Sequence, residues 1–273
     1  MLEKETQFLK QEGAKPEQKE DKKEGLAELR DRIRKRSLEL RKEGVPVDER
    51  ARINVDEFHG IYSGQSIESD KAWIKELKGR WKEAAIAGSN LSWAFPKEEA
   101  LREMPTGDIF EMLTTSILDK NLGEDFIVTR TSEYDDARNK VDHMIAHKPT
   151  KTIVCAFDEI GAVSGERFKE KQNKILERNW KRGGADLKYG IFFEGKEGKM
   201  KLKKGHVFQV PLFYLAMSKE DIKKTLDDPS QQEKVFHDFI GSVKEQIKKL
   251  REYPLHPKLK ERLDSFEEII EKF

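Results

Sequence analysis

The chain has 273 residues, of which 53 are Lys or Arg and 52 are Asp or Glu, so its formal net charge is only +1. Because the net charge is so close to zero, it favours neither an acidic nor a basic partner. The single cysteine, Cys155, excludes a disulfide framework. The stretch MLEKETQFLKQEG lacks the apolar core of a signal peptide, and the sequence has no run of the roughly 20 apolar residues that cross a bilayer. The sequence therefore predicts a cytoplasmic protein with no membrane partner.

Residues 1–50 form the first predicted unit, a charged and partly disordered segment with 14 basic and 13 acidic residues. Its stretch KPEQKEDKKEG, residues 15–25, has no apolar periodicity and is predicted to be disordered. Between residues 26 and 40 apolar side chains recur at near-helical spacing, which predicts a solvated helix that docks weakly. An arm that binds nucleic acid is the less favoured alternative, because charge runs of both signs are usually solvent faces.

Residues 51–104 are predicted to be a helical extension. Trp73, Leu77 and Trp81 stand one helical turn apart, which indicates one face of a helix. Such a stripe belongs to a core far more often than to a ligand site. A second, short helix is predicted for FPKEEALREM, residues 95–104, which opens with a proline near its first turn.

Residues 105–217 alternate between helical and strand patterns and form the predicted α/β core. In order, the segments are a helix TGDIFEMLTTSILDKNLG, a strand DFIVTRTS, a polar turn EYDDARN, strands KVDHMIA and TIVCAFDEI, a helix GERFKEKQNKILERNWKRGG, and strands LKYGIFFEG and HVFQVPLFYLAM. This order predicts an α/β sandwich around a mixed sheet, with Pro211 marking an edge or a bulge in the last strand. Residues 218–273 are predicted to be C-terminal helices, opened by a capping arrangement of Ser218 and Asp221.

Two aspartates stand at the tips of strands that are predicted to be buried, Asp142 in KVDHMI and Asp158 in CAFDEI. An unpaired buried carboxylate costs several kcal/mol, so each needs a partner, and a hard divalent cation such as Mg²⁺ or Mn²⁺ is one. Solvated strand ends or turn caps are an equally weighted alternative. Asp135 and Asp136 are candidates for further ligands, although an Asx-type turn is slightly favoured for them.

The order of helix, strand, strand with Asp142, strand ending in Asp158, and helix resembles the PD-(D/E)XK nuclease superfamily over about residues 106–215. The resemblance implies a restriction-endonuclease-like fold and a metal-dependent nuclease that hydrolyses phosphodiester bonds. It also implies that Asp142, Asp158 and, on the first helix, Glu111 are ligands of Mg²⁺ or Mn²⁺. The stretches TSEYDDARNKVDHMI, CAFDEI and GGADLKYGI further resemble a set of uncharacterised proteins from candidate-phylum bacteria.

The chain departs from the superfamily pattern at the motif lysine, because Ile160 stands two residues after Asp158. Lys171 and Lys174 on the next helix are the candidates for a migrated catalytic lysine, while an ion pair of Lys174 with Glu170 on an exposed face is the alternative. Without a usable lysine the domain is predicted to be catalytically inactive and to bind nucleic acid, a protein partner or a second copy. A third hypothesis is a helical interaction protein whose sheet serves only as a scaffold.

Local charge supports a nucleic-acid partner. Residues 166–204 contain 13 Lys or Arg against 6 Asp or Glu, and such a patch attracts phosphate backbones without selecting a sequence. The candidate nucleic-acid-binding residues are Arg167, Arg178, Lys201, Lys203 and Lys204. For the last three, an ordinary basic hairpin is an equally weighted alternative.

Overall fold

The computed structural model describes residues 17–87, 104–196 and 200–273. Its helices are α1 (Glu17–Lys42), α2 (Gly64–Ile86), α3 (Thr106–Leu122), α4 (Glu133–Asn139), α5 (Glu166–Arg182), α6 (Lys219–Asp227), α7 (Gln232–Leu250) and α8 (Pro257–Ile270). Short 3-10 helices lie at Val55–Phe58 and Pro229–Gln231. The strands are β1 (Phe126–Arg130), β2 (His143–His147), β3 (Thr152–Ile160), β4 (Ala185–Glu194), β5 (Lys201–Val210) and β6 (Leu212–Ala216).

A four-stranded mixed sheet forms the centre of the molecule, with strands in the order β1-β2-β3-β6. The first three strands form an antiparallel meander, and β6 returns parallel to β3 after the crossover through α5. Strands β2 and β3 are buried along almost their whole length, as expected for apolar runs covered on both faces. The predicted α/β class and mixed sheet are therefore confirmed.

The segment HVFQVPLFYLAM was predicted to be one strand, and that prediction is wrong. Pro211 divides it into β5, which pairs with β4 in a separate two-stranded sheet, and β6, which joins the central sheet. Proline has no N–H to donate to a ladder, so the chain can change sheets at this residue while the Pro211 carbonyl still accepts from Ala156 N at 2.8 Å.

Strand β6 is an edge strand, and two side-chain amides occupy its outer edge. Asn179 on α5 accepts from Leu212 N at 2.9 Å and donates to Leu212 O at 2.7 Å. Gln246 on α7 accepts from Tyr214 N at 2.9 Å and donates to Tyr214 O at 3.0 Å. The two amides thus make the bonds that a neighbouring strand would make, which closes the edge against pairing with another chain.

The N-terminal helix is packed more firmly than predicted. Residues 15–25 were predicted to be disordered, but α1 already begins at Glu17, consistent with the high helix propensity of Glu and Lys. Leu29 is fully buried, and Arg36 Nε lies 2.6 Å from Asp119 Oδ1 on α3. The prediction of weak docking is therefore wrong, because the apolar stripe of α1 belongs to the same core as the sheet.

The tryptophan stripe of α2 was predicted to be core, and it is only half-buried. Trp73 packs edge-on against Tyr134 of α4 at a ring distance of 5.8 Å, while Ile74 is the buried residue of this turn. The predicted short helix at 95–104 lies almost wholly outside the described residues. At the C-terminal end the predicted cap is confirmed, since Ser218 Oγ accepts from Asp221 N at 3.1 Å.

Candidate metal centre

Asp142 lies directly before β2 and is held in place by β3. Its backbone N–H donates to Phe157 O at 2.7 Å, and its carboxylate Oδ2 accepts from Glu159 N at 2.6 Å. Asp158 is the residue before Glu159 in β3, so it lies beside this contact, and after burial its charge is one of the causes that raise the pKa of Asp142. The two aspartates therefore meet at one end of the strand pair, as predicted.

The two candidate lysines of α5 have different surroundings. Lys171 Nζ lies 2.6 Å from Asp158 Oδ1 and donates to Glu159 O at 2.6 Å. Lys174 is 76% exposed and pairs with Glu170 at 3.6 Å, which was the alternative for this residue. The structure therefore brings Lys171 to the strand tips and leaves Lys174 on the outer face of the helix.

Two further carboxylates approach from the helices. Glu111 on α3, Asp136 on α4 and Asp142 each offer an oxygen, and the three oxygens lie within 4.8 Å of one another. Asp136 and Asp135 were predicted to lie in a turn, but Ser132 caps a helix there by accepting from Asp135 N at 3.0 Å. Only Asp136 faces the cluster, because Asp135 instead accepts the backbone N–H groups of Lys188 and Tyr189.

Two arginines bind Glu111 and Asp136. Arg130, which is fully buried, donates to Glu111 Oε2 from Nε at 2.9 Å and from Nη2 at 2.6 Å. Arg52 donates to the same Oε2 at 2.6 Å and to Asp136 Oδ2 at 3.2 Å. Because these bonds use one oxygen of each carboxylate, Glu111 Oε1 and Asp136 Oδ1 remain for another cation.

Negative charge exceeds positive charge in this cluster. It gathers six carboxylates, namely Asp108, Glu111, Asp136, Asp142, Asp158 and Glu159. The cations that pair with them are Arg52, Arg130 and Lys171, which leaves an excess of three negative charges before His143 is considered.

The excess charge appears in the pKa values. Burial, and then the charge of Glu111, raise the pKa of Asp136 to about 6. Burial and the neighbouring Asp158 raise the pKa of Asp142 well above its usual range, and burial raises that of Asp158 although Lys171 opposes the shift. Glu111 behaves differently: burial raises its pKa, but Arg130 and Arg52 outweigh burial and lower it to about 2. Burial and like charge therefore favour a proton or a counter-cation at Asp136, Asp142 and Asp158.

A buried histidine, His143, contacts two residues of the cluster, Glu111 and Glu159, and the sequence pattern did not indicate a role for it. His143 Nδ1 lies 3.2 Å from Glu159 Oε1, and its Nε2 lies 2.9 Å from Thr115 Oγ1 and 3.1 Å from Glu111 O. These contacts tie β2, β3 and α3 together. The signal that could have found the pair is the antiparallel register, which brings the start of β2 next to the end of β3.

The predicted nucleic-acid-binding residues lie on two elements, α5 and β5, and Arg178 and Lys204 contact other residues of the chain. Arg178 donates to Asn139 O, and Lys204 Nζ lies 3.5 Å from Glu57 Oε2. Arg167 on α5 and Lys201 and Lys203 on β5 are exposed. The basic patch of residues 166–204 is therefore divided between α5 and the two-stranded sheet of β4 and β5.

No protein-family model, curated protein or solved structure matches this chain. Among the described residues, none of the helices has the length and apolar character needed to cross a membrane.

Proposed function

We propose that this protein is a metal-dependent nuclease of the PD-(D/E)XK type that hydrolyses phosphodiester bonds of nucleic acid. The observation that carries the proposal is the convergence of Glu111, Asp136 and Asp142 within 4.8 Å, beside the Asp158–Lys171 pair. The donor set consists of carboxylate oxygens, which suit Mg²⁺ or Mn²⁺, and it carries the excess negative charge that a divalent cation would balance.

Each residue has a defined task in this proposal. Glu111, Asp136 and Asp142 would hold the cation, which when bound lowers the pKa of water and stabilises charge on the phosphate. Asp158 would stand beside them as the partner of Lys171. Lys171 is already placed at the carboxylates, where its ammonium would donate to a phosphate oxygen or orient the attacking water. Arg130 and Arg52 position Glu111 and Asp136 by holding one oxygen of each.

A cleavage assay with single- and double-stranded DNA and RNA in Mn²⁺ or Mg²⁺ tests the proposal. We expect the parent protein to cleave at least one substrate, and Asp142→Asn to remove the activity. Lys171→Met should lower the rate about 100-fold, the usual effect of losing one donor to developing charge. Lys174→Met is the matched control, because this lysine lies on the same helix but faces solvent, and it should cleave like the parent.

One observation favours the alternative, a catalytically inactive nuclease-like domain that binds nucleic acid or a protein. Ile160, at the position of the motif lysine, is buried, so β3 itself supplies no ammonium group. Under this alternative the parent protein binds Mn²⁺ and nucleic acid without cleavage. Replacing Lys201 and Lys203 by Gln should then weaken binding and flatten its salt dependence by about one unit per lost phosphate contact. Absence of cleavage together with absence of nucleic-acid binding at low salt would reject the nuclease and the nucleic-acid-binding alternative.

A further inference from the structure

A pocket of about 480 Å³ lies between the segment around Val55, helix α2 and the start of α4. A second cavity of about 500 Å³ adjoins it, and the two share Asp48, Arg52, Lys78 and Glu133. Small-molecule sites usually enclose about 300–1,000 Å³, so the first pocket alone has room for a ligand of nucleotide size.

Arg52 connects this pocket to the candidate metal centre. The side chain lines both cavities although it is nearly buried, with 7% of its surface exposed. Its guanidinium bonds to Glu111 at 2.6 Å and to Asp136 at 3.2 Å, the two carboxylates that converge with Asp142. A ligand in the pocket therefore lies one side chain away from the carboxylates.

The pocket offers an apolar wall and an aromatic ring. Ile53 and Ile74 line it and are otherwise buried, and Tyr134 contributes its ring. Trp73 and Tyr189 pack edge-on against Tyr134, each at 5.8 Å, which fixes the orientation of that ring. A fixed ring beside aliphatic side chains suits a flat heterocycle, because every nucleobase has a face that can stack or pack.

Most charged side chains that line the pocket form an ion pair or a hydrogen bond with another residue of the chain. Asp56 pairs with Lys71 at 2.8 Å, Glu133 with Lys78 at 2.6 Å, and Asp70 with Lys188. Asp48 accepts the N–H groups of Arg50 and Arg52.

Lys75, one helical turn from Lys71 and Lys78, is the lining cation that has no ion pair within the described residues. A ligand with one anionic group and a flat, largely apolar body would match this arrangement.

We infer that the pocket binds a nucleoside monophosphate, with the base against Tyr134 and the phosphate at Lys75. The inference rests on the proposed function for its substrate class, since the same chemistry occurs in a free nucleotide and in the unpaired, phosphorylated end of a strand. In the second case the pocket would direct cleavage to strand ends, because only the Arg52 side chain separates the terminal nucleotide from the carboxylates.

Equilibrium binding to the full chain in EDTA tests the inference without catalysis. We expect AMP or UMP to bind at least 10-fold more tightly than the corresponding nucleoside or inorganic phosphate alone. Lys75→Gln should weaken nucleotide binding about 10-fold, the usual loss of one charge-assisted hydrogen bond. Lys174→Gln, which removes an exposed lysine elsewhere, is the matched control and should bind as the parent does.

Two outcomes overturn the inference: no nucleotide binding at millimolar concentration, or unchanged binding by Lys75→Gln. A phosphorylated single-stranded oligonucleotide separates the two sources. Binding at least 10-fold tighter than AMP, with the same dependence on Lys75, assigns the pocket to strand ends, whereas equal binding assigns it to free nucleotides. Asp142→Asn should retain nucleotide binding. Loss of cleavage therefore bears only on the proposed function, and loss of nucleotide binding in a cleaving protein bears only on the pocket.

Discussion

Asp142→Asn removes one of the three converging carboxylates and leaves its backbone contact in place. Asn Oδ1 can still accept the hydrogen bond that Asp142 Oδ2 now accepts from Glu159 N at 2.6 Å. The substitution also removes a carboxyl group whose pKa is raised by burial and by the charge of Asp158. Without metal, we therefore expect the melting temperature of Asp142→Asn to equal or exceed that of the parent, because a repulsion is lost and no hydrogen bond is.

The rise in melting temperature on addition of Mn²⁺ can be calculated for the parent and for Asp142→Asn. At a Mn²⁺ concentration of about 100 times Kd, a ligand that binds only the folded state stabilises it by about 2.7 kcal/mol. For a chain of this length about 1 kcal/mol shifts the melting temperature by roughly 2–4 °C, so the parent should gain about 5–11 °C. If losing one carboxylate weakens the affinity about 100-fold, the stabilisation at the same concentration falls to about 0.4 kcal/mol and the gain to about 1–2 °C.

Thermal unfolding with and without Mn²⁺ measures both quantities. Asp227→Asn is the matched control, since it makes the same chemical change at an exposed position of α6 and should keep the full response of the parent. The reasoning is refuted if Mn²⁺ does not raise the melting temperature of the parent. It is also refuted if Asp142→Asn gains as much as the parent, because the carboxylates would then not share the cation.

Three further results are expected. In EDTA the denaturant midpoint should rise as the pH falls from 7 to 5. The pKa of Asp136 is raised from 3.8 to about 6, so its contribution to stability is complete below pH 3.8 and is lost as the pH rises through 6. The pKa of Glu111 is lowered, so its contribution is lost only as the pH falls from 4.5 towards 2. Arg130→Met should lower the free energy of unfolding by about 3 kcal/mol in urea titrations, because the buried Glu111 then keeps Arg52 alone as its cation and Asp108 loses its closer partner. A loss under about 1 kcal/mol would contradict the ion pairs. The double variant Asn179→Ala/Gln246→Ala should self-associate in sedimentation experiments, because the two amides no longer occupy the edge of β6. A sedimentation profile identical to that of the parent would show that other groups close this edge.

The central sheet and the meeting of Asp142 with Asp158 followed from local sequence patterns. Apolar runs interrupted by polar loops predicted β2 and β3, and a meander places the start of one strand beside the end of the next. Lys174 and Lys171 were both candidates because they lie on the helix that follows β3, and helical spacing did not single out Lys171. Choosing it over Lys174 required the structure, since the two residues are separated by less than one turn and only the packing angle of α5 distinguishes them.

The arginines could not have been placed from sequence. Arg52 follows no periodic segment, and its partners Glu111 and Asp136 lie 59 and 84 residues away. Arg130 left a weak signal, a charged residue at the end of the buried strand FIVTR, yet nothing local identifies Glu111 as its partner. The helix α4 was misread as a turn because its seven residues are too short for a periodic pattern, although Ser132 and Asp135 form a capping arrangement that could have indicated it.

The Asp158–Lys171 pair shows why a motif search is a poor guide to this cluster. Position 160 is buried in β3 and apolar, so a lysine there would need its own buried counter-ion. Helix α5 instead brings Lys171 over the end of the strand, where its side chain keeps contact with solvent while its ammonium lies 2.6 Å from Asp158. The carboxylate and the ammonium thus come from two elements whose separation along the chain is free to vary. What the proposed chemistry requires is their distance in space, and for this cluster the distance is the criterion by which the function should be judged.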